Sequence, residues 1–433
     1  MILMHANPTK RRPTSVARRR PRSIIVALLA MGLFIQAGAA LSGAQPQVRP
    51  DPFGNSAFGL QLTSPGPTGV SVHNQISGPA PSTVSIADAA MRVRSAPTPI
   101  VGIAKGLRTV AVVVGGKWHV VVPDAEGHFS ATVDLTNAER GPLVIDVHGW
   151  DTLPDNHNYK AAINLRIHVF VERLAQPAAA EARRAGHPAS GRRLVWSDEF
   201  DGLAKETWHL GPKPDGQEYG AAAFATNNDV GSYTAMDGFL RIRASHQPNF
   251  KDERGWNRKW VTGHLSTGFP DGSARAAFRK GYFEARMLVP AGPGCWSSFW
   301  LLDQHGIRTS NTNGAVEIDV IEAYGHSNTS YVATEHDWPP PSAGSKGYRR
   351  AQKNLTGLPD LTLGFHDYGV EITDDDTIYY FDGKEVFRAP LYRKDTVSPF
   401  FLMLTLAMSH DWPIVVPPSG YYDLWIDRVR VYR

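Results

Sequence analysis

The sequence predicts an all-β protein in which a large β-jelly-roll follows a small β-sandwich. Short runs of β-branched and aromatic residues alternate with Gly, Asp, Asn and Pro from residue 83 onward, a pattern typical of strands and turns. Amphipathic helical periodicity is almost absent after residue 193. The 433 residues include 11 Trp, and this many large rings indicates either an extensive β core or a stacking surface.

The first 44 residues have the composition of an export signal. A basic region that ends at Arg22 precedes the apolar run SIIVALLAMGLF, and small residues with candidate cleavage points after Ala39 and Ala44 follow. The apolar run is shorter than the roughly 20 residues that a membrane-spanning helix needs. We therefore expect a secreted or periplasmic protein, with an uncleaved N-terminal membrane anchor as the alternative.

The formal net charge of +4 comes from the same segment. Residues 1–44 contain seven Lys and Arg and no Asp or Glu, so removing them changes +4 to −3 (4 − 7). The remaining chain is slightly acidic, which argues against nucleic acid as a partner. The single cysteine, Cys295, excludes an internal disulfide, and we expect it to be a small buried hydrophobic residue.

Two low-complexity stretches divide the rest of the chain. Residues 45–82 are rich in Pro, Gly, Ser and Asn and are predicted to be a disordered linker. Residues 173–193, dominated by Ala, Arg and Pro, are predicted to be a second linker. The jelly-roll is therefore expected to occupy residues 194–433.

The small sandwich is expected between the two linkers, over residues 83–172. Several short β-branched runs are separated there by turn residues, including the pair Gly115-Gly116. Their rhythm resembles that of bacterial immunoglobulin-like modules. We expect this part to be a spacer, with carbohydrate binding as the alternative.

The stretch GAVEIDVIEAYG places Glu317, Asp319 and Glu322 in an otherwise aliphatic strand. Buried carboxylates are unfavourable unless they are paired or used. A single β-bulge at Val320-Ile321 would bring all three onto one face and turn Ile321 into the core. Such a row can supply the nucleophile and the acid that cleave a glycosidic bond with retention, while the Asp separates the two pKa values. Cation binding and a solvated surface are the alternatives.

Aromatic residues flank this strand. Trp296 and Trp300 precede it, and His336 and Trp338 lie on what should be the next strand. Sugar rings present C–H faces that stack on aromatic rings. We expect Trp296 and Trp338 to face a saccharide cleft and Trp300 to lie in the core.

Several motifs in order resemble glycoside hydrolase family 16. EIDVIE resembles the family's E-x-D-x-x-E signature in its bulged form. LVWSDEFDG is similar to the opening strand, and GYFEARMLVPAGPGCWSSFWLLD to the strand and loop before the signature. FHDYGVEITDDDTIYYFDGKEVF resembles the later hairpin and DLWIDRVRVYR the closing strand. The resemblance covers nearly all of residues 194–433.

This resemblance implies a concanavalin-like β-jelly-roll with a concave cleft, and retaining endo-hydrolysis of a β-linked polysaccharide without a required cofactor. By position, Glu317 would be the nucleophile and Glu322 the general acid/base, while Asp319 would hold Glu317 and tune its ionisation. His336 matches a histidine beside the acid/base. Trp296 and Trp412 match cleft aromatics.

The chain also departs from the family pattern. Ser409 and His410 replace a glycine pair near the cleft, where their side chains would narrow or decorate a subsite. Some members hold a structural calcium ion on the convex face, and Glu199 and Asp427 stand near the expected positions. Basic residues near the cleft suggest an acidic substituent on the glycan, with solvated surface charges as the alternative. These residues are Arg258, Lys259, Lys346, Arg349 and Arg350.

The leading hypothesis is a secreted, monomeric endo-glycosidase. Its substrate would be a β-1,3 or β-1,3-1,4 glucan, or a bacterial exopolysaccharide. A transglycosylase would use the same carboxylates, and a carbohydrate-binding or cell-surface module without catalysis is a further alternative. The three intact carboxylates disfavour the last, and the absence of H-x-x-x-H and H-E-x-x-H spacings disfavours a metal-dependent hydrolase.

Overall fold

The computed structural model describes most of the chain after the predicted signal and first linker. The described residues are 59–64, 92–94, 97–152, 163–172, 186–228, 231–307, 313–409, 412–417 and 420–433. All of them belong to one compact unit that spans Asp51–Arg433. They form strands and turns with only two short 3-10 helices, Gln304–Ile307 and Pro341–Ala343, which confirms the all-β class. None of the helices described is long and apolar enough to cross a membrane.

Two small sheets precede the large domain. Their strands are β1 (Gly59–Ser64), β2 (Arg92–Arg94), β3 (Pro97–Lys105), β4 (Thr109–Val114), β5 (Lys117–Val121), β6 (His128–Asp134), β7 (Gly141–Trp150) and β8 (Ile163–Glu172). One sheet has the order β1-β3-β6 and the other β2-β8-β7-β4-β5. A shared apolar core that includes Ile100, Val112, Phe129 and Val147 joins them. The immunoglobulin-like character of this part stays a prediction.

The predicted turn at Gly115-Gly116 is present. Val114 pairs with Lys117, so β4 and β5 form a hairpin with a two-residue loop. Both glycines have positive φ, 54° and 76°, as a turn of this kind requires.

The large domain contains the remaining strands. They are β9 (Leu194–Asp198), β10 (His209–Leu210), β11 (Ala222–Phe224), β12 (Tyr233–Met236), β13 (Phe239–His246), β14 (Trp260–Thr262), β15 (His264–Ser266), β16 (Ala277–Phe278), β17 (Gly281–Leu288), β18 (Cys295–Asp303), β19 (Ala315–Tyr324), β20 (Tyr331–Trp338), β21 (Arg349–Leu355), β22 (His366–Ile372), β23 (Asp376–Phe381), β24 (Lys384–Pro390), β25 (Phe400–Met408) and β26 (Tyr421–Tyr432).

These strands form the two layers of a jelly-roll sandwich. The first, which we call the cleft sheet, has the order β10-β15-β25-β18-β19-β20-β21, with β16 paired to β25. The second, the outer sheet, has the order β11-β14-β13-β26-β17-β22-β23-β24, with β12 on β13 and β9 on β26. Residues from both sheets, such as Phe299, Leu404, Phe283 and Ile426, share one apolar core. Cys295 is fully buried in that core, as expected.

Apolar side chains also join the small sheets to the outer sheet. Val144 and Phe170 belong to a cluster that includes Phe239, Leu288 and Trp425. The rings of Phe170 and Phe239 meet edge to face with centroids 5.6 Å apart, a favourable aromatic geometry. The small sheets therefore pack on the large domain.

Candidate active site

The predicted bulge in β19 is present. On β18 the partners of Asp319 and Glu322 are Trp300 and Ser298, two residues apart, whereas the two acids are three residues apart on β19. The register with β20 shifts over the same interval. The extra residue lies in the Val320-Ile321 segment, and both of these side chains are buried in the sandwich core.

The bulge places Glu317, Asp319 and Glu322 on the same face of the cleft sheet. Without it, alternation would turn Glu322 towards the core, where an ionised carboxylate is costly. Asp319 is buried, while the two Glu side chains remain partly accessible.

Glu322 is held by two aromatic donors. The ring N–H of Trp296 donates to its Oε1 at 3.1 Å, and the hydroxyl of Tyr324 donates to the same atom at 3.2 Å. Burial, followed by the negative charge of Asp319, raises the pKa of Glu322 to about 8, from an ordinary value of 4.5. The side chain is therefore mostly protonated at neutral pH, as a general acid must be.

The carboxylate of Asp319 is bonded to His336. Asp319 Oδ2 and His336 Nε2 are 3.0 Å apart, and His336 Nδ1 lies 2.6 Å from the hydroxyl of Tyr348. Burial alone would lower the pKa of His336, but the hydrogen bond and charge of Asp319 outweigh it and the pKa is raised. Residues Asp319, His336 and Tyr348 thus form a continuous hydrogen-bonded chain.

The family resemblance implied that Asp319 would hold Glu317 and tune its ionisation, and a direct bond between the two stays a prediction. Among the described residues, Asp319 has His336 as its hydrogen-bond partner. Its influence on Glu317 is electrostatic, since burial and then the charge of Asp319 raise the pKa of Glu317. The positive field of His336 and Lys213 and a hydrogen bond from Trp338 oppose this rise.

The predicted aromatic residues lie around the carboxylates. Trp338 stacks on His336, with centroids 5.1 Å apart and ring planes at 16°. Trp296 contacts the ring of Tyr324 at 6.1 Å, and Trp412 meets the same ring edge-on at 5.2 Å. Tyr324 therefore connects two of the predicted cleft aromatics to Glu322.

The other predicted positions have different outcomes. The expectation that Trp300 lies in the core is wrong: it is buried, but it is the cross-strand partner of Asp319, so it lies on the carboxylate face in a small cluster apart from the main core. Its ring N–H donates to Thr405 at 3.0 Å. Ser409 is buried, with 2% of its surface exposed. His410 lies outside the described residues.

Three tyrosines at the site were missed from the sequence. Tyr324 follows Glu322 by two residues on one strand, so alternation alone was enough to place it on the same face. Tyr348 lies at the end of the loop between β20 and β21, and its partner depends on the path of that loop. Tyr219 packs its ring 5.4 Å from that of Trp296, and no local signal in its segment indicated this contact.

One group at the site has the spacing of a cation site. Ligand atoms of Glu317, Asp319 and His336 all lie within 4.8 Å of one another. In the described structure the imidazole nitrogen that faces this group is already bonded to Asp319. The general acid and nucleophile chemistry available to the two Glu residues requires no metal ion.

The two carboxylates expected to mark a calcium site have arginine partners. Glu199 accepts two hydrogen bonds from Arg430, at 2.8 and 2.9 Å. Asp427 accepts from Arg286 at 3.0 Å and from Arg428 at 2.8 Å. Guanidinium groups thus already compensate both negative charges, and calcium binding there stays a prediction.

Comparison with known proteins gives a consistent result. Residues 250–414 match the family model described as "Glycosyl hydrolases family 16". An endo-1,3-1,4-beta-glycanase of Rhizobium meliloti, ExsH, is 26% identical over 246 residues, which cover 56% of this chain and 48% of that protein. A beta-glucanase of Rhodothermus marinus is 27% identical over 263 residues, 55% of this chain and 85% of that protein.

Solved structures are also similar. The laminarinase catalytic domain from Thermotoga maritima is 23% identical, with a TM-score of 0.44, over 56% of this chain and 98% of that chain. The present chain spans about half the length of the R. meliloti relatives, 48% and 45%.

Proposed function

We propose that the C-terminal domain of this chain is a member of glycoside hydrolase family 16, whose model matches residues 250–414, and that the protein is an endo-acting hydrolase of a β-linked polysaccharide. The observation that carries the proposal is the bulged strand. It presents two glutamates on one face, and it keeps Glu322 protonated at neutral pH beside the partly accessible Glu317. The relatives named as a glycanase and a glucanase support the same substrate class.

In the proposed first step Glu317 attacks the anomeric carbon of the sugar. The C–O bond to the leaving sugar breaks, and Glu322 transfers its proton to that oxygen. A covalent glycosyl ester on Glu317 results. The pKa of Glu322 is also raised by the charge of Glu317, so the two carboxyl groups lie within electrostatic reach.

In the second step the ionised Glu322 takes a proton from water, whose oxygen attacks the anomeric carbon and releases Glu317. Two inversions give net retention, and the acid returns to its starting state. Tyr324 and Trp296 keep the carboxyl oriented through both steps by donating to one of its oxygens.

The residues Asp319 and His336 have positioning roles in this scheme. Asp319 is negatively charged and buried, so it disfavours simultaneous ionisation of both glutamates. His336 binds Asp319 through Nε2 and is fixed from the other side by Tyr348. The imidazole therefore has little freedom to release the Asp319 carboxylate.

The N-terminal segment lies outside the described residues. On the basis of its basic and apolar sequence we also propose that the protein is exported. Recovery of the mature protein from the medium or the periplasm, with N-terminal sequencing of the recovered chain, would test this. Retention of the first 44 residues in the membrane fraction would favour the anchor.

The activity is tested by release of reducing ends from a panel of polysaccharides by residues 45–433. The panel contains β-1,3-glucan, mixed-linkage β-glucan, agarose, carrageenan and acidic exopolysaccharide. Glu317→Gln should eliminate release, whereas the exposed Glu253→Gln should behave as wild type. Nuclear magnetic resonance of the first product formed should show the β-anomer. Release by Glu317→Gln at the wild-type rate, or an α-product, would contradict the mechanism.

A further inference from the structure

Two of the five basic residues expected near the cleft, Arg258 and Arg349, are paired with carboxylates. Arg258 is buried and binds Asp252 at 2.9 and 2.6 Å and Glu218 at 3.1 Å. Arg349 donates to Asp337 at 2.9 and 2.6 Å. Carboxylates already compensate these two guanidinium groups, so the expectation that they face an acidic substrate is wrong.

Arg350 differs from both in its partners. No carboxylate within the described ranges forms an ion pair with it, and its side chain is exposed. Its positive charge acts on the nearby hydroxyl of Tyr348 and opposes the rise that burial causes in the pKa of that group. Because this hydroxyl is neutral, it does not compensate the charge of the guanidinium.

Strand register places Arg350 on the catalytic face. Arg350 is the direct cross-strand partner of His336, and His336 is the partner of Glu317. Directly opposed residues in antiparallel strands point to the same side of a sheet, so the three form one row across β19, β20 and β21. At about 4.8 Å between strands, the Cα atoms of Arg350 and Glu317 are about 10 Å apart.

We propose that Arg350 binds an anionic substituent of the glycan in the cleft, so that the substrate is a negatively charged β-linked polysaccharide. This inference rests on the proposed function and narrows its substrate class. Arg350 presents an uncompensated planar donor beside the row of carboxylates, a geometry that matches a carboxylate or sulfate group. The neighbouring cleft-face positions on β21, Gln352 and Asn354, are polar and hydrogen-bonded to each other at 2.9 Å.

An alternative role for Arg350 predicts a different result in kinetic experiments. Its positive charge also acts on Tyr324, the donor to Glu322, so Arg350 could serve only to balance the negative charge of the site. In that case its removal would change the pH profile and would slow neutral and anionic substrates equally. In the proposed role only the anionic substrate is affected.

The test compares two forms of one polymer. Mixed-linkage β-glucan and the same glucan partly oxidised at C6 to glucuronate differ in charge but share a backbone. Initial rates are measured for wild type, Arg350→Gln and Lys353→Gln at low and at high salt. Lys353 is an exposed cation on the same strand, but alternation directs it to the opposite face, which makes it the matched control.

We expect wild type to prefer the oxidised glucan and Arg350→Gln to lose about 10-fold in kcat/KM on that polymer, mostly through KM. Rates on the neutral glucan should stay within about 2-fold, and Lys353→Gln should resemble wild type. High salt should reduce the preference of wild type. An equal loss on both polymers, or no preference in wild type, would overturn the inference.

A binding measurement distinguishes failure of the anion site from failure of the proposed hydrolase activity. If neither polymer is cleaved, affinity electrophoresis of the same variants in gels containing each glucan measures binding alone. Retardation by the oxidised glucan that Arg350→Gln abolishes and Lys353→Gln retains would support the anion site without β-glucanase activity. Equal migration of all three proteins in both gels would reject the site.

Discussion

Substituting Glu322 by Gln should remove catalysis and, at alkaline pH, stabilise the fold. The carboxyl is mostly protonated in the folded protein at neutral pH, because burial and the charge of Asp319 raise its pKa to about 8, from 4.5. Such a group binds its proton more tightly in the folded than in the unfolded chain. Its contribution to stability is therefore fully present below pH 4.5 and is lost as the pH rises through 8.

The structure sets the size of this effect. The difference between 4.5 and about 8 corresponds to about 5 kcal/mol, at 1.36 kcal/mol for each pKa unit. This is an upper limit, because the side chain stays partly exposed and water screens its charge. A Gln at position 322 is neutral at every pH and lacks this loss. The expected gain over wild type is thus below about 1 kcal/mol at pH 5 and about 2–5 kcal/mol at pH 9.

Chemical denaturation at pH 5 and pH 9 measures the effect, and reducing-end release measures the accompanying loss of activity. The loss should be about 100-fold or more, because an amide cannot donate the proton. Glu253→Gln, at an exposed position, is the control and should change neither quantity. The reasoning is refuted if the stability difference between Glu322→Gln and wild type is the same at both pH values.

Three further substitutions test other parts of the site. Asp319→Asn removes the negative charge that, after burial, raises the pKa of Glu322. The alkaline limb of the plot of kcat/KM against pH, expected near pH 8, should therefore move down by about one pH unit. An unmoved limb would exclude this electrostatic role of Asp319. Tyr348→Phe removes the hydroxyl that is hydrogen-bonded to His336, so it should destabilise the fold by about 1 kcal/mol. The same substitution should shift the titration of the His336 ring, which nuclear magnetic resonance measures. Gly325→Ala would bring a Cβ atom into collision with the backbone carbonyl oxygen of Gly292, so the free energy of unfolding should fall by about 2 kcal/mol or more. An unchanged melting temperature would contradict this expectation.

The bulge was predictable because the sequence contains a conflict that only one local change resolves. Glu317 and Asp319 obey a period of two, whereas Glu322 breaks it, and the three aliphatic residues between them must all be buried. Adding one residue to the strand satisfies both requirements. The same reasoning applies to β26, because Leu424, Ile426, Val429 and Val431 can share one face only if the strand is irregular between Ile426 and Val429. The register with β17 shifts between Ile426 and Arg428, and all four side chains are in the core.

Contacts between distant segments could not be predicted in this way. Tyr348 reaches His336 only because the chain turns back after β20 to form β21, and sequence patterns do not determine where a loop returns. The partners of Arg258 were missed for the same reason, since Glu218 lies 40 residues earlier in the chain. A basic residue near a cleft in sequence therefore says little about its charge in the fold until its carboxylate partners are known.

A raised pKa does not by itself identify the functional carboxyl groups of this domain. Burial also raises the pKa of Glu335 to about 7 and that of Asp303 to about 6, and both side chains are fully buried. Glu335 accepts a hydrogen bond from the backbone amide of Tyr392, and Asp303 accepts from those of His305 and Val316, so backbone groups hold both acids in place. Glu317 and Glu322 differ because they combine a raised pKa with partial exposure on the face of the sheet, and Glu322 is held by the side chains of two aromatic residues rather than by backbone. Access to a substrate distinguishes a carboxyl that can exchange its proton from one that is only structural.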